Sequence, residues 1–386
     1  MNILCTTYEY PPIGGGGSNV AQPLAEELAL RGHKIDIVTS GMSELPTHEC
    51  TNKVNIHRVA CVRRFPHYAT TPELFTYLWP AYKKARELCS TRKYDINHTH
   101  FALPSGVVSY MLYKKTGLPY VTTIHGSDIP GYNPDRFRIA HIIFRPMWRR
   151  IIANSAKIVA ASAYLKKLIQ SHIDVPVEVI RNGYAVDSDD LSMQKINRML
   201  VVTRMFRRKG VQYFLDAIKG INHGWEIVIA GDGPYLPILK QQAERLDLNV
   251  KFVGFVKGDV LADLYASSKI FVFPSIQENF PVVLLEAMNA GCAIVTTSAE
   301  GCGEVIGDAG LVTTPGHPDE IRRALESLIN DESAIAELST RARRRIQHFS
   351  WPRIAKQYEN EFQGLLTQQP VDAVAQQHAV PDALKK

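Results

Sequence analysis

The chain has 386 residues, with 45% apolar and 21% charged side chains, the size of two or three ordinary globular domains rather than one. No apolar run reaches the length of a membrane-spanning helix, which argues against a transmembrane protein. The net charge of +6 is unevenly placed: residues 1–190 hold 22 Lys and Arg against 16 Asp and Glu, whereas residues 191–386 hold 22 of each. An anionic partner is therefore expected on the first half. The opening MNILCTTYEYPP lacks the basic start and apolar length of a signal peptide and reads as a first strand. Six cysteines without CxxC spacing suit reduced thiols in the cytoplasm.

Met1 to Thr7 reads as a buried strand, followed by a turn-rich loop with Gly14-Gly15-Gly16-Gly17. Helical spacing runs from Asn19 to Arg31 and a second strand from His33 to Thr39. This order suits a nucleotide-type half-fold, and four glycines imply a close backbone approach or merely a loose loop. A dinucleotide fingerprint is disfavoured, because its third glycine falls on Asn19 and Asp36 lies within the second strand rather than at its end.

Tyr94 to His100 forms a short strand carrying His98 and His100, for which a zinc site would need further ligands that no nearby spacing supplies. The strand PYVTTI ends at His125-Gly126-Ser127-Asp128, which places His125 at a strand's carboxyl end, where a crevice lies; a core histidine is the other reading. From Arg136 to Lys167 the chain is basic and amphipathic. Such a pattern can lie on an anionic membrane surface, and it can equally be ordinary helices with their apolar residues in the core, the reading favoured for most of them. No module or aromatic platform suggests nucleic acid.

A strand and turn through Asn182-Gly183 closes the first half, and Asp187-Ser188-Asp189 reads as an acidic linker rather than a metal motif. The second β-α-β series opens with Met199 to Val202, then Arg204 and Lys209 ahead of a helix from Val211 to Ile218. Two cations at this turn can neutralise a diphosphate without magnesium. The strand Trp225 to Ala230 leads into Gly231, and the next is read from Val250 to Val256. Phe271 to Phe273 is a buried strand, followed by a polar loop and a helix with Pro281 in its first turn. Glu278 lies in that loop and Glu286 on the helix, seven residues between them. Carboxylates suit sugar or ribose hydroxyls, and the free amides of a helix start suit an anion. Further helices are read from Asp319 to Ile329, Ile335 to Arg345 and Arg353 to Leu366, and the tail from Thr367 as disordered.

Glu278-Asn279-Phe280-Pro281…Glu286, with Arg204…Lys209-Gly210, Asn182-Gly183, His125-Gly126 and the glycine loop, resembles the retaining glycosyltransferases of family 4 over Met1 to Leu366. The resemblance implies an α/β protein of the GT-B class, two Rossmann-like domains facing across a cleft. These would be an acceptor-side domain over 1–185, a donor domain over 195–348 and a helix over 349–366 crossing back. It implies retaining, metal-independent transfer of a sugar from a nucleoside diphosphate sugar (UDP-, GDP- or ADP-linked) with no cofactor, and the basic first half favours a glycan or lipid-linked acceptor. His125, Arg204, Lys209 and Glu278 would serve catalysis. The donor would be held by Gly15, Gly16, Asn182, Arg204, Lys209, Gly231, Val256, Glu278, Asn279, Phe280, Val282, Val283 and Glu286. Glycines are frequent in the family at 279 and 281, where this chain has Asn279 and Pro281, so the amides of Phe280, Val282 and Val283 are left to meet the diphosphate. A cytoplasmic enzyme, peripheral at an anionic membrane face, is the matching location. A nucleotide-sugar epimerase, a glycan phosphorylase or a non-enzymatic sensor are the alternatives.

Overall fold

The computed structural model describes residues 1–15, 18–66, 69–132, 134–186, 194–221 and 224–372, without the side chains of 134–141 and 368–372. Gly16 and the Asp187-Ser188-Asp189 run fall outside these. The chain divides into two compact units, one formed by residues 1–161, 165–181 and 351–386 and the other by 162–164 and 182–350.

The first unit is built on strands β1 (Asn2–Thr7), β2 (Lys34–Ser40), β3 (His48–Thr51), β4 (Val54–Val59), β5 (Ile96–His100), β6 (Tyr120–Ile124), β7 (Lys157–Ala160) and β8 (Glu178–Val179). They form one sheet in the order β3-β4-β2-β1-β5-β6-β7-β8, parallel except for the edge strand β3. The order reverses between β1 and β5, so the loops after those strands open on the side where an α/β sheet binds ligands. β1, β5 and β6 are buried almost throughout, as a sheet covered by helices on both faces requires.

One face is covered by the helices Ser18–Leu30 and Trp351–Asp372. Ile354, Ala355, Tyr358 and Phe362 of the last helix enter the same core as Leu24 and Leu28. Glu359 fixes the contact, accepting from Arg31 Nη2 at 2.8 Å and meeting His33 Nε2 at 3.0 Å. This helix is longer than the sequence pattern suggests, running through Thr367 to Asp372 where disorder was expected. Apolar spacing ends at Leu366, and Gln368 and Gln369 beyond it are themselves tolerable helix formers, so the spacing does not mark the helix end.

The second unit holds strands β9 (Ile196–Val202), β10 (Glu226–Ala230), β11 (Val250–Gly254), β12 (Ser268–Phe273), β13 (Ala293–Thr297) and β14 (Leu311–Thr313). All pair in parallel, in the order β11-β10-β9-β12-β13-β14. Numbered within the unit this is 3-2-1-4-5-6, the doubly wound order, with its switch point between β9 and β12. Phe271 and Phe273 face the core shared with Leu284, Leu285 and Met288, while Val272 faces the core shared with Phe214 and Leu215. Strand β11 stops at Gly254, short of Val256, because Gly254 turns to a positive φ of 72°.

Gly210 shows how tightly the switch point is closed. Its φ is +70°, and a Cβ there would lie 1.8 Å from the carbonyl oxygen of Pro274, in the loop after β12. Only glycine allows the two loops to meet this closely. Gly210→Ala is expected to destabilise the protein by about 1–3 kcal/mol from backbone strain alone, and further from the clash. Urea denaturation of the two forms checks this; equal midpoints would mean that the loops are not in register.

Candidate active site

Within the second unit, the loop after β9 carries Arg204 and a single 3-10 turn, Arg207–Lys209, and the loop after β12 carries Glu278. Lys209 and Glu278 form a direct ion pair between Nζ and Oε1, and both side chains are nearly buried. Ser275 Oγ donates to the same carboxylate oxygen at 3.1 Å. The two loops are also joined through the backbone, Ile276 N–H donating to Arg208 O at 2.9 Å. Lys209 thus lies inside the site, its ammonium 5.7 Å from the Phe273 ring. Arg204 is exposed and lies over the ring of Phe206, at 5.6 Å, with Arg208 at 6.0 Å from the same ring. Sequence reasoning did not single out Phe206, although an aromatic between two arginines at a strand's end was the available signal.

Pro281 is the N-cap of the helix Val282–Asn289 and stands just before it, rather than within the first turn. Leu284 N–H closes the first turn onto Pro281 O at 3.1 Å. The amides ahead of it, at Val282 and Val283, belong to the set that a helix start leaves without intrahelical partners. Glu286, one turn further, is half-buried and accepts from Tyr265 OH at 2.7 Å. Burial pushes its carboxyl above the usual carboxylate range, and the Tyr265 hydrogen bond only partly offsets this. Asn279 and Phe280 are held against the helix Glu300–Ile306: Gly301 N–H donates to Glu278 O at 3.2 Å, and a Cβ at Gly301 would lie 1.8 Å from Asn279 O.

Gly231 closes β10 at a φ of +131°, its missing Cβ facing Thr203 O at 1.8 Å, which draws the β10 loop onto the β9 loop. Val256 lies two residues beyond β11, half-buried beside exposed Phe255. Asn182 opens the unit and is half-buried. The structure therefore joins Lys209 directly to Glu278, and sets Arg204 and Gly231 on the adjoining loops.

Gly15 and His125 belong to the first unit. The Gly15 N–H donates to Glu9 Oε2 at 3.0 Å, so a carboxylate already occupies an amide of the glycine loop. His125 is half-buried at the end of β6, and its Nε2 meets His100 Nδ1 at 3.0 Å. Burial drives His125 down to about 4 and His98 to about 3, with His100 also well below the ordinary imidazole value. All three rings are neutral near pH 7, so His125 and His100 share one proton between their facing nitrogens.

Asp128 fixes the His125 loop. Its carboxylate accepts from Ala102 N at 2.7 Å, Gly126 N at 3.1 Å and His125 N at 3.2 Å. Burial nevertheless lifts it to about 6 against the pull of those amides. The third ligand that spacing did not supply for His98 and His100 comes from β1, where Cys5 stands opposite His98. Cys5 Sγ and one ring nitrogen from each histidine lie within 4.8 Å of one another. Burial pushes the Cys5 thiol up to about 12, so a metal would have to displace a tightly held proton. His98 Nε2 is meanwhile 2.9 Å from Thr123 Oγ1.

Sucrose-phosphate synthase from Thermosynechococcus elongatus superposes with a TM-score of 0.74 at 19% identity, covering 95% of this chain and all of that one. Anabaena HepE in complex with UDP-glucose gives 0.68 at 19% identity, covering 94% of this chain and all of that one. The two Rossmann-like units therefore share the GT-B fold. Residues 14–188 match the model "Glycosyltransferase Family 4" and residues 196–331 the model "Glycosyl transferases group 1". An uncharacterised glycosyltransferase of Methanocaldococcus jannaschii is 31% identical, across 94% of this chain and 98% of its own. The chain belongs to the family 4 glycosyltransferases.

The neutral histidines make stability pH-dependent. Their folded values lie below the 6.5 of a free imidazole, so the unfolded chain takes up protons first. The stability they contribute is complete above pH 6.5 and falls as pH drops toward the folded value of about 3 for His98, at roughly 1.4 kcal/mol per pH unit per ring. Urea midpoints at about pH 7 and about pH 5 are expected to differ more for the native protein than for His98→Gln. Equal differences would show that His98 is already protonated in the folded state.

Proposed function

We propose that the protein transfers a sugar from a nucleoside diphosphate sugar to a glycan or lipid-linked acceptor, with retention at the anomeric carbon and without a metal ion or cofactor. The observation that carries this reading is the buried Lys209–Glu278 pair at the switch point between β9 and β12. An ammonium held there can meet the charge that develops on a departing diphosphate. Arg204, exposed on the same loop, supplies a second cation, so the leaving group is neutralised by protein alone. The first-turn amides at Val282 and Val283, with that of Phe280, add donors to the same phosphates.

Each carboxylate then has a recognition role. Glu278 accepts from sugar hydroxyls once the donor phosphates draw Lys209 toward them, and Glu286, oriented by Tyr265, accepts from the ribose. Gly231, Val256 and Asn279 border the base and sugar, and Asn182 the junction side of the donor. On the first unit, His125, kept neutral by burial, is the candidate for positioning reacting groups, and the Gly15 amide now bonded to Glu9 is a donor that a phosphate would compete for. The phosphate oxygen that leaves takes the acceptor's proton, so no protein nucleophile is needed. An epimerase would convert the donor with no acceptor present, which a donor-only incubation tests. An anionic cytoplasmic membrane face is where a lipid-linked acceptor would be met.

A panel of UDP-, GDP- and ADP-sugars, screened by thermal shift with mass detection of product, identifies the donor. With that donor, Lys209→Ala is expected to lower kcat/KM by about a hundredfold to a thousandfold, and a chelator to leave turnover unchanged. Full activity in Lys209→Ala, or loss to the chelator with recovery on adding manganese, would overturn the assignment. Because Glu286 is raised above its usual range, donor affinity should fall on mild acidification as the carboxylate becomes protonated. Glu286→Gln should bind more weakly and lose that dependence; an unchanged pH profile would remove Glu286 from the site.

A further inference from the structure

Two helices of the first unit expose side chains that a core would normally take. On the helix Thr71–Thr91, Phe75 is 43% exposed and Trp79 56%, one turn apart on the same face. On the helix Pro134–Asn154, Ile142 is 67% exposed and Ile143 62%, although Trp148, Ile151 and Ile152 of the same helix are buried. The apolar residues of this helix were expected mostly in the core; they divide instead between core and solvent. The Phe75 and Phe144 rings lie 4.9 Å apart, which joins the two helices into one surface. Scattered exposed apolar residues are normal, but a joined aromatic and aliphatic patch marks an interaction surface.

The charge beside the patch identifies the partner. Continuing the Phe75–Trp79 face, Lys83 lies 5.4 Å from the Trp79 ring, and Arg86 is exposed a turn beyond. Arg145, Arg149 and Arg150 are exposed beside Ile142 and Ile143. Acid is nearly absent: Glu73 is buried in the helix cap, Glu87 is bonded by Lys84 at 2.7 Å, and residues 142–154 contain no acid at all. Aromatic and branched apolar side chains edged by unpaired-in-sign cations suit a surface that is apolar beneath and anionic above.

We propose that this face docks on an anionic lipid bilayer. Phe75, Trp79, Ile142 and Ile143 enter the zone beneath the headgroups, and Lys83, Arg86, Arg145, Arg149 and Arg150 meet the lipid phosphates. This deepens the reading of a lipid-linked acceptor and rests on it for its purpose, but binding to lipid needs no sugar transfer and can be tested alone.

Trp79 is a native reporter, because the other three tryptophans, Trp148, Trp225 and Trp351, are all buried. The full chain would be mixed with vesicles of phosphatidylcholine alone or with phosphatidylglycerol added, following sedimentation and tryptophan emission. On the anionic vesicles we expect co-sedimentation, a blue shift and weakening by salt, with little binding to phosphatidylcholine alone. Ile142→Ser with Ile143→Ser, and separately Trp79→Ser, should each weaken binding at least about tenfold with an unchanged thermal midpoint. Absence of binding to anionic vesicles would overturn the proposal, as would variants that bind like the native chain. Concentration-dependent dimerisation in light scattering that Trp79→Ser abolishes would also overturn it, by assigning the face to a second copy. Vesicle binding without transfer activity would sink the acceptor reading alone, and transfer without vesicle binding the docking proposal alone.

Discussion

The second unit is organised around one buried ion pair. Removing two charges from water is costly, and a pair such as Lys209 with Glu278 is weak evidence of stability, since well-packed apolar groups can do as well. Its retention makes physical sense where one partner has other work. The ammonium is held by a carboxylate that Ser275 backs with a hydrogen bond, and in the proposed function an arriving diphosphate would exchange one anionic partner for another rather than strip the lysine of water. The carboxylate released in that exchange would then accept hydroxyls. Gly210 and Gly231, which press the β9 loop against the β12 and β10 loops, are the backbone conditions for this arrangement.

The first unit follows the same topology with different contents. Its switch point lies between β1 and β5, and the loop after the next strand, β6, bears His125. Among the described residues, no charge pair occupies that place. A neutral chain of histidines runs back from His125 through His100 to His98, sealed by Tyr358 and Phe362 of the last helix. Asp128 ties the β5 and β6 loops through three amides, so the ring is positioned by a network of backbone and side-chain hydrogen bonds. One unit holds a buried cation paired with a carboxylate, and the other an uncharged ring that can donate or accept.

Much of this was legible in the sequence because it is local. The helix Val211–Ile218 falls on the residues that its apolar spacing marks, and most strands lie within a few residues of their expected limits. What stayed hidden depends on partners distant in sequence. The meeting of Cys5 with His98 is a register between parallel strands more than ninety residues apart, and no spacing rule reveals it. The strands β3 and β4 and the helix Thr71–Thr91 are not marked by the sequence pattern, the latter because Pro80 interrupts an otherwise helical run. Helical periodicity marks Ile142 and Ile143 as apolar but cannot say whether protein or lipid covers them.

The direct test is the binding of the cognate nucleoside diphosphate and of its sugar conjugate, by titration calorimetry, to the native chain, Lys209→Met and Glu278→Gln. Lys209→Met should weaken both ligands. Glu278→Gln should weaken only the sugar conjugate, leaving the diphosphate bound as well or better, because Lys209 no longer has a competing carboxylate. Affinities for both ligands that remain unchanged in both variants would contradict a donor site built on this pair.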